Sequence, residues 1–234
     1  NDESYAHMCA DFAAQPAIAV DTESNSLHAY QERVCLIQIS TRAQDYLVDT
    51  LALDSLDLLG EVFTNPAIQK VFHAGDYDLT CLKRDYAFTF ANYFDTSIAA
   101  AAVGEENLGL STLLAKYFGF SVDKKYQRAD WGKRPLDAEM LRYAQSDSHF
   151  LLPLRDRLLP FLKSTGRLSL VLEDCAALAQ QTPPMKNHSE DVWRVKGING
   201  MKPRALSLLQ QLNHLREELA RKQDVPLFKV MSDA

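Results

Sequence analysis

Short apolar runs separated by polar, turn-forming residues mark the first third of the chain. They occupy residues 17–20, 34–39, 46–48 and 68–72. Apolar runs that are bounded by turn residues predict β-strands. We predict that the first three strands form an antiparallel meander and that the fourth joins the same sheet.

The spacing of apolar residues changes to a helical period after Gly75, and helices are predicted to dominate from Thr96 onward. Residues 137–162 are predicted to form one long helix, with Pro153 as the candidate position for a kink. Strands that come first and helices that follow indicate a layered α/β or α+β domain with a mixed sheet.

The chain divides into two predicted modules. We place the first domain at residues 1–170, a linker at 171–189 and a helical module at 190–234. Leucines recur at helical spacing in the second module, at Leu206, Leu209, Leu212, Leu215 and Leu219. Because about 45 residues are too few for a self-sufficient core, we expect this module to be truncated.

Composition and charge narrow the classes of function. The 234 residues are 47% hydrophobic and 24% charged, which supports a sizeable core and excludes a wholly disordered chain. The net charge of −6 argues against a protein that coats nucleic acid by bulk electrostatics. Residues 1–183 carry −9, however, and residues 184–234 carry +3, a division typical of two modules with different tasks.

Targeting and redox features point to the cytoplasm. No stretch without charged residues exceeds 11 residues, so neither a transmembrane helix nor a signal peptide is predicted. The four cysteines show no paired short spacing, which favours free thiols in a reducing compartment over disulfides or a zinc site.

Two acidic residues close the first predicted strand. Asp21 and Glu23 are two positions apart, so their side chains project from the same face of a strand. Neighbouring carboxylates repel each other and bind hard divalent cations such as Mg²⁺ or Mn²⁺. The pattern favours a divalent-metal site, and the alternative is a strand end that enters solvent.

Three further residues are candidates for chemistry. Asp78 lies at a predicted turn from strand to helix, where an acid also serves as a helix cap. Tyr143 and Asp147 are four positions apart on the long predicted helix and share a face. A buried Asp there needs a metal ion or an arginine, whereas a surface pair needs neither.

A basic run at 116–142 that contains Trp131 is typical of a solvated face or of a nucleic-acid-binding patch.

Taken together, the order Asp-x-Glu, Asp and Tyr-x-x-x-Asp resembles the three exonuclease motifs of the DEDD superfamily in its tyrosine variant. Arg142 stands where the histidine variant has its histidine. The chain resembles the ribonuclease D family through the strings AIAVDTESNSLHAY, VCLIQIS, KVFHAGDYDLTCLKRDY and DWGKRPLDAEMLRYAQSDSHFLLPL. The string DVWRVKGINGMKPRALSLLQQL resembles the start of the helicase-and-ribonuclease-D C-terminal (HRDC) module. The resemblance covers most of residues 14–165 and 190–230.

This resemblance implies a ribonuclease H-like mixed β-sheet flanked by helices, the DEDD exonuclease fold of the α/β class, followed by a partial all-α HRDC module. It implies two divalent metal ions, Mg²⁺ or Mn²⁺, as cofactors. The implied catalytic residues are four metal-ligating acids and a tyrosine that orients the attacking water: Asp21, Glu23, Asp78, Asp147 and Tyr143. The implied substrate-binding residues are His73, Trp131, Lys133 and Arg134. For His73 and Trp131, the alternative is a structural role in the fold.

The implied activity is that of a metal-dependent 3′–5′ exoribonuclease, which releases 5′-mononucleotides from the 3′ ends of tRNA precursors or other structured RNA. We expect a cytoplasmic monomer whose partner is single-stranded RNA at 3′ ends and not a membrane. Two alternatives stay open, namely the same chemistry on single-stranded DNA and a nucleic-acid-binding module without catalysis. The presence of all four carboxylates and the tyrosine disfavours the second alternative.

Overall fold

The structure, a computed structural model, describes residues 2–121, 125–183, 193, 195 and 197–232. The strands of this part are β1 (Ala17–Ser24), β2 (Val34–Ser40), β3 (Asp45–Asp49), β4 (Gln69–Phe72) and β5 (Tyr93–Asp95). The helices before residue 184 are α1 (Asp2–Ala13), α2 (Asp57–Thr64), α3 (Asp76–Tyr86), α4 (Thr96–Val103), α5 (Leu110–Phe118), α6 (Ala138–His149), α7 (Leu151–Ser164) and α8 (Leu168–Gln180). A 3₁₀ turn spans Thr50–Ala52, and α9 (Pro203–Gln223) and α10 (Leu227–Val230) follow near the C-terminus.

The five strands form one mixed sheet in the order β3-β2-β1-β4-β5. β2 and β3 are antiparallel, whereas β4 is parallel to both of its neighbours, β1 and β5. The parallel register pairs Ala19 with Val71 and Phe72 with Asp95. The predicted mixed sheet is confirmed. Parallel strands end at the same edge of a sheet, so the C-terminal ends of β1, β4 and β5 come together there.

Helices cover the sheet and bury its strands. Every residue of β2 is buried, which is typical of a strand with both faces covered. α6 packs on β2 and β3, α7 packs on α4 and β4, and α8 packs on β5. Phe12, Phe63 and Phe72 have no exposed surface and fill the core between these elements. In the part of the chain that the structure describes, no helix combines the length and apolar character needed to cross a bilayer.

The prediction of one long helix over residues 137–162 is wrong, because α6 and α7 are separate helices that meet at Phe150. Pro153 gives the physical reason for this break. Proline has no amide hydrogen, so it cannot donate to the carbonyl of His149, four residues earlier, and this favours a break at that point. Pro153 lies instead in the first turn of α7, where a missing amide hydrogen costs nothing.

The first compact unit extends further along the chain than the predicted domain at 1–170. Residues 1–23 and 34–183 form this unit. The first ten residues of the predicted linker are helical, and α8 buries Val171, Cys175 and Ala179 in the core of this unit. Residues 181–183 of that predicted linker follow the helix, and residues 184–189 lie outside the described residues.

The second compact unit is discontinuous in sequence and comprises residues 24–33 and 184–234. Its long helix α9 agrees with the leucine spacing of the sequence. The Tyr30 hydroxyl donates to the Glu217 carboxylate over 3.0 Å, and the Tyr30 amide donates to Asp224 over 3.2 Å. The Arg221 guanidinium lies 5.6 Å from the centre of the Tyr30 ring. The segment that follows β1 therefore folds with α9.

Asp95, at the end of β5, holds the turn from which α3 begins. Its carboxylate accepts hydrogen bonds from the amides of Ala74 and Gly75, over 3.0 and 2.9 Å, and from the Tyr93 hydroxyl over 2.7 Å. It also caps the first amides of α4. Position 75 requires glycine, because a Cβ atom there would come within 2.8 Å of the Phe72 Cβ.

Asp95→Ala is expected to lower the free energy of unfolding by about 3 kcal/mol or more, because several donors lose their acceptor in a buried place. Urea unfolding followed by circular dichroism measures the change. Asp54→Ala is the control, since Asp54 is exposed and its removal should change stability by less than about 0.5 kcal/mol. Equal unfolding midpoints for the two variants would contradict the role given to Asp95.

Candidate active site

Three carboxylates meet at the sheet edge where β1 ends. Asp21 and Glu23 lie in β1, and Asp147 lies on α6, which packs over β2 and β3. Each acid offers one oxygen atom, and the three atoms lie within 4.8 Å of one another. We call this set the three-acid group.

The fourth predicted acid, Asp78, lies beside the three-acid group and is not a member of it. It is in the first turn of α3, and its Oδ1 atom accepts a hydrogen bond from the Thr22 hydroxyl. Burial raises the pKa of Asp78 to about 6, and the Thr22 hydrogen bond opposes that rise. The negative charge of Asp78 in turn raises the pKa of Asp21, so the two acids interact.

Burial and mutual repulsion dominate the electrostatics of the site. Loss of hydration raises the pKa of Asp21 and Glu23 well above the usual carboxylate range, and the charges of neighbouring acids raise it further. Burial also raises the pKa of Asp147 to about 7. Clustered carboxylates ionise readily when a cation offsets their repulsion, and oxygen ligands suit Mg²⁺ or Mn²⁺. The side chains present therefore fit a hard divalent cation.

Tyr143 lies one helical turn before Asp147 on α6. The proximity of its hydroxyl lowers the pKa of the Asp147 carboxylate. Burial first, and then the charge of Asp147, raise the pKa of the Tyr143 phenol, so it keeps its proton at neutral pH. The Tyr143 ring packs near Trp131 and Tyr126, with ring centroids 6.1 and 5.8 Å away.

The three-acid group and Tyr143 face a cavity of about 290 Å³. His73 also lines it, and its Nδ1 atom lies 2.9 Å from the Thr96 hydroxyl oxygen. Burial lowers the pKa of His73, which favours the neutral ring. His73 is thus anchored to the fold and exposed to the cavity at once. Substrate contact by His73 stays a prediction.

Five residues of the cavity wall were not predicted from the sequence: Thr22, Gly109, Leu110, Ser111 and Gln127. The sequence does contain an indication for Thr22, because this residue stands between two candidate acids. Gly109, Leu110 and Ser111 come from the start of α5, and Gln127 comes from residues 125–137 before α6, which we call the basic loop. No spacing in the sequence relates these four residues to the acids. They reach the cavity only through the tertiary fold.

Two of the four predicted substrate-binding residues are used to build the basic loop. Trp131 is 1% exposed, in agreement with the core alternative. Arg134 has five guanidinium N–H donors. Two pair with the Asp49 carboxylate and three with the carbonyls of Trp131, Lys133 and Cys35. The Lys133 side chain is 80% exposed, and contact of these residues with nucleic acid stays a prediction.

A mixed sheet with an acid cluster at the end of its central strand defines a ribonuclease H-like exonuclease fold. A family model described as 3′-5′ exonuclease matches residues 1–163, and a model of the HRDC domain matches residues 205–234. The chain belongs to the 3′-5′ exonuclease family. The resemblance seen in the sequence is thereby confirmed.

Known relatives are of the Rrp6 and ribonuclease D type. The chain is 38% identical over 233 residues to the exosome complex exonuclease RRP6 of Saccharomyces cerevisiae, covering 93% of this chain and 32% of that protein. It is 33% identical over 234 residues to ribonuclease D of Acidiphilium cryptum, covering 99% of this chain and 59% of that protein. The crystal structure of the catalytic core of RRP6 from Trypanosoma brucei superposes with a TM-score of 0.90 at 33% identity, covering 100% of this chain and 66% of that one. The chain thus spans less than two thirds of both curated relatives.

Asp147→Asn is expected to stabilise the metal-free protein at high pH. The pKa of about 7 in the folded protein exceeds the value of about 4 for an unfolded Asp, so ionisation opposes folding increasingly between pH 4 and 7. At pH 8 the variant should be more stable by about 2 kcal/mol, a shift of several degrees in the unfolding temperature. At pH 4 the unfolding temperatures of the two proteins should coincide. Thermal unfolding in EDTA measures both values.

Asp156→Asn is the matched control for this pH series. Hydrogen bonds from the guanidinium groups of Arg42 and Arg155 outweigh burial and lower the pKa of Asp156. That carboxylate stabilises the folded protein above pH 4, so its removal should destabilise at pH 8, the opposite sign to Asp147→Asn. A difference between wild type and Asp147→Asn that does not change with pH would contradict the electrostatic account.

Proposed function

We propose that this chain is a metal-dependent 3′–5′ exoribonuclease that releases 5′-mononucleotides from RNA 3′ ends by hydrolysis. The observation that carries the proposal is the three-acid group next to the Tyr143 hydroxyl in one cavity. Membership of the 3′-5′ exonuclease family supports the reaction class. The site holds the residue types that such a reaction needs.

A requirement for cations follows from the charges of the site. The phosphodiester and the ionised acids are both anionic, so the acids alone repel the substrate. Two divalent cations, Mg²⁺ or Mn²⁺, held by Asp21, Glu23, Asp78 and Asp147 would supply the positive charge that attracts the scissile phosphate. Without that charge the raised pKa values leave part of the acid cluster protonated near neutral pH.

Tyr143 orients the attacking water in this proposal. Hydrolysis forms a bond between the water oxygen and phosphorus and breaks the bond from phosphorus to the 3′ oxygen of the preceding nucleotide. The departing oxygen gains a proton, and the water loses one. Because the Tyr143 phenol keeps its proton at neutral pH, it serves as a hydrogen-bond donor that positions the water and not as a free base.

RNA is the substrate class that the relatives favour. The matched relatives are named ribonuclease D and exosome complex exonuclease, and the C-terminal region matches the HRDC domain. Residues 184–234 carry a net charge of +3, which suits phosphate contacts. We therefore propose tRNA precursors and other structured RNAs with single-stranded 3′ ends as substrates, with single-stranded DNA as the alternative.

A denaturing-gel time course tests the proposal. The protein is incubated with 5′-labelled single-stranded RNA or DNA of matched sequence, in Mg²⁺, Mn²⁺ or EDTA. We expect a ladder that shortens from the 3′ end of RNA, requires a divalent cation and stops in EDTA. Faster degradation of DNA than of RNA would select the alternative substrate, and no cleavage with either metal would refute the proposal.

Asp147→Asn should abolish hydrolysis in the same assay, because it removes one ligand of the three-acid group. Lys133→Ala is the comparison, since Lys133 is on the surface of the basic loop and outside the cavity wall. We expect it to weaken RNA binding and to leave the cleavage pattern unchanged. Activity of Asp147→Asn near that of wild type would show that the acids have been assigned wrongly.

Tyr143→Phe should lower kcat by about tenfold to a hundredfold while it leaves Mn²⁺ affinity similar, because the phenol positions water and is not a metal ligand. Single-turnover rates at saturating Mn²⁺ measure the chemical step. Tyr126→Phe is the matched control, since its hydroxyl bonds to Glu139 on the exposed side of the loop. Equal rates for both variants would remove the role given to Tyr143.

A further inference from the structure

Thr22 lies between two acids of the active site and contacts a third. It stands between Asp21 and Glu23 in β1, and its side-chain hydroxyl donates to Oδ1 of Asp78. Thr22 and Asp78 are 56 residues apart in sequence. This hydrogen bond joins the strand that carries Asp21 and Glu23 to the acid in the first turn of α3.

Asp78 needs such a restraint because its surroundings repel it. The charges of Asp76 and Asp95 oppose its ionisation, and Asp78 and Asp21 repel each other. An unrestrained carboxylate would rotate to reduce this repulsion. The β-branched Thr22 side chain has restricted χ1 freedom in a strand, so its hydroxyl offers Asp78 a donor in a fixed direction.

We propose that Thr22 is a positioning residue that orients Asp78 relative to Asp21, so that these two carboxylates together hold the second divalent cation. The proposal rests on the proposed function and assigns a task to a residue that is neither one of the four acids nor the tyrosine. A carboxylate offers about four lone-pair sites, so Asp78 keeps sites for a cation while its Oδ1 accepts from Thr22. The three-acid group, which excludes Asp78, would hold the first cation.

Two substitutions separate the hydroxyl from the rest of the side chain. Thr22→Val keeps the shape and the backbone amide and removes only the donor to Asp78. Thr22→Ser keeps the donor and removes a methyl group. Thr64→Val is the matched control, because the Thr64 hydroxyl bonds only to Thr89 among the described residues, on an exposed surface.

Isothermal titration of Mn²⁺ into the EDTA-treated, dialysed protein tests the proposal without any substrate. Wild type, Thr22→Ser and Thr64→Val are expected to bind two Mn²⁺ ions with similar affinities. Thr22→Val is expected to bind one ion as wild type does and the other about tenfold more weakly, because hydrogen bonds to metal ligands typically contribute that much. The Mn²⁺ concentration for half-maximal RNA cleavage should shift by the same factor.

Several results would overturn the proposal. The proposal is refuted if Thr22→Val binds both Mn²⁺ ions with the affinities of wild type. It is also refuted if Thr22→Ser binds Mn²⁺ as weakly as Thr22→Val does. A double-mutant cycle with Asp78→Asn gives a further test, since Thr22→Val should add nothing once Asp78 cannot ligate. If Thr22→Val does not fold, the cycle is run with Thr22→Ala.

The outcome for wild type separates this proposal from the proposed function. Wild type that binds no Mn²⁺ and cleaves no RNA refutes the proposed function itself. Wild type that binds two ions and cleaves RNA, together with Thr22→Val that does the same with unchanged affinities, refutes only the role of Thr22.

Discussion

Repulsion among clustered, half-buried carboxylates is the constraint on which the rest of this structure depends. Four acids from β1, α3 and α6 approach one another at one sheet edge, and each has a raised pKa there, chiefly because of burial. Folding must supply enough stability to tolerate this arrangement in the absence of a cation. The buried sheet and the network around Asp95 are the parts of the fold that do so.

Neutral donors restrain these acids. The Thr22 hydroxyl donates to Asp78, and the Tyr143 hydroxyl lowers the pKa of Asp147. A hydroxyl fixes the direction of a carboxylate without neutralising it, so the acid keeps its charge for a cation. Arg134, by contrast, is a charged donor with a structural role. All five of its guanidinium donors bond to Asp49 or to backbone carbonyls, and these bonds hold the basic loop in place.

The sequence alone was informative where local rules decide the structure. Strand alternation placed Asp21 and Glu23 on one face, and helical spacing placed Tyr143 beside Asp147. The break at Phe150 was only partly foreseen, because Pro153 marked the region but the loss of its amide acts four residues earlier. Neither the engagement of Arg134 nor the cavity position of Gln127 follows from spacing, since both depend on elements distant in sequence.

The discontinuous second unit restricts how such a protein can evolve by exchange of modules. The chain passes from one unit to the other after Glu23, after Arg33 and after Pro183, so no single crossover in a gene separates the two. A recombination event that replaced the C-terminal region would deprive Tyr30 of its acceptors on Glu217 and Asp224. Tyr30 and Glu217, which are 187 positions apart, are therefore expected to covary. A linear map of domains would nevertheless assign their two segments to different modules.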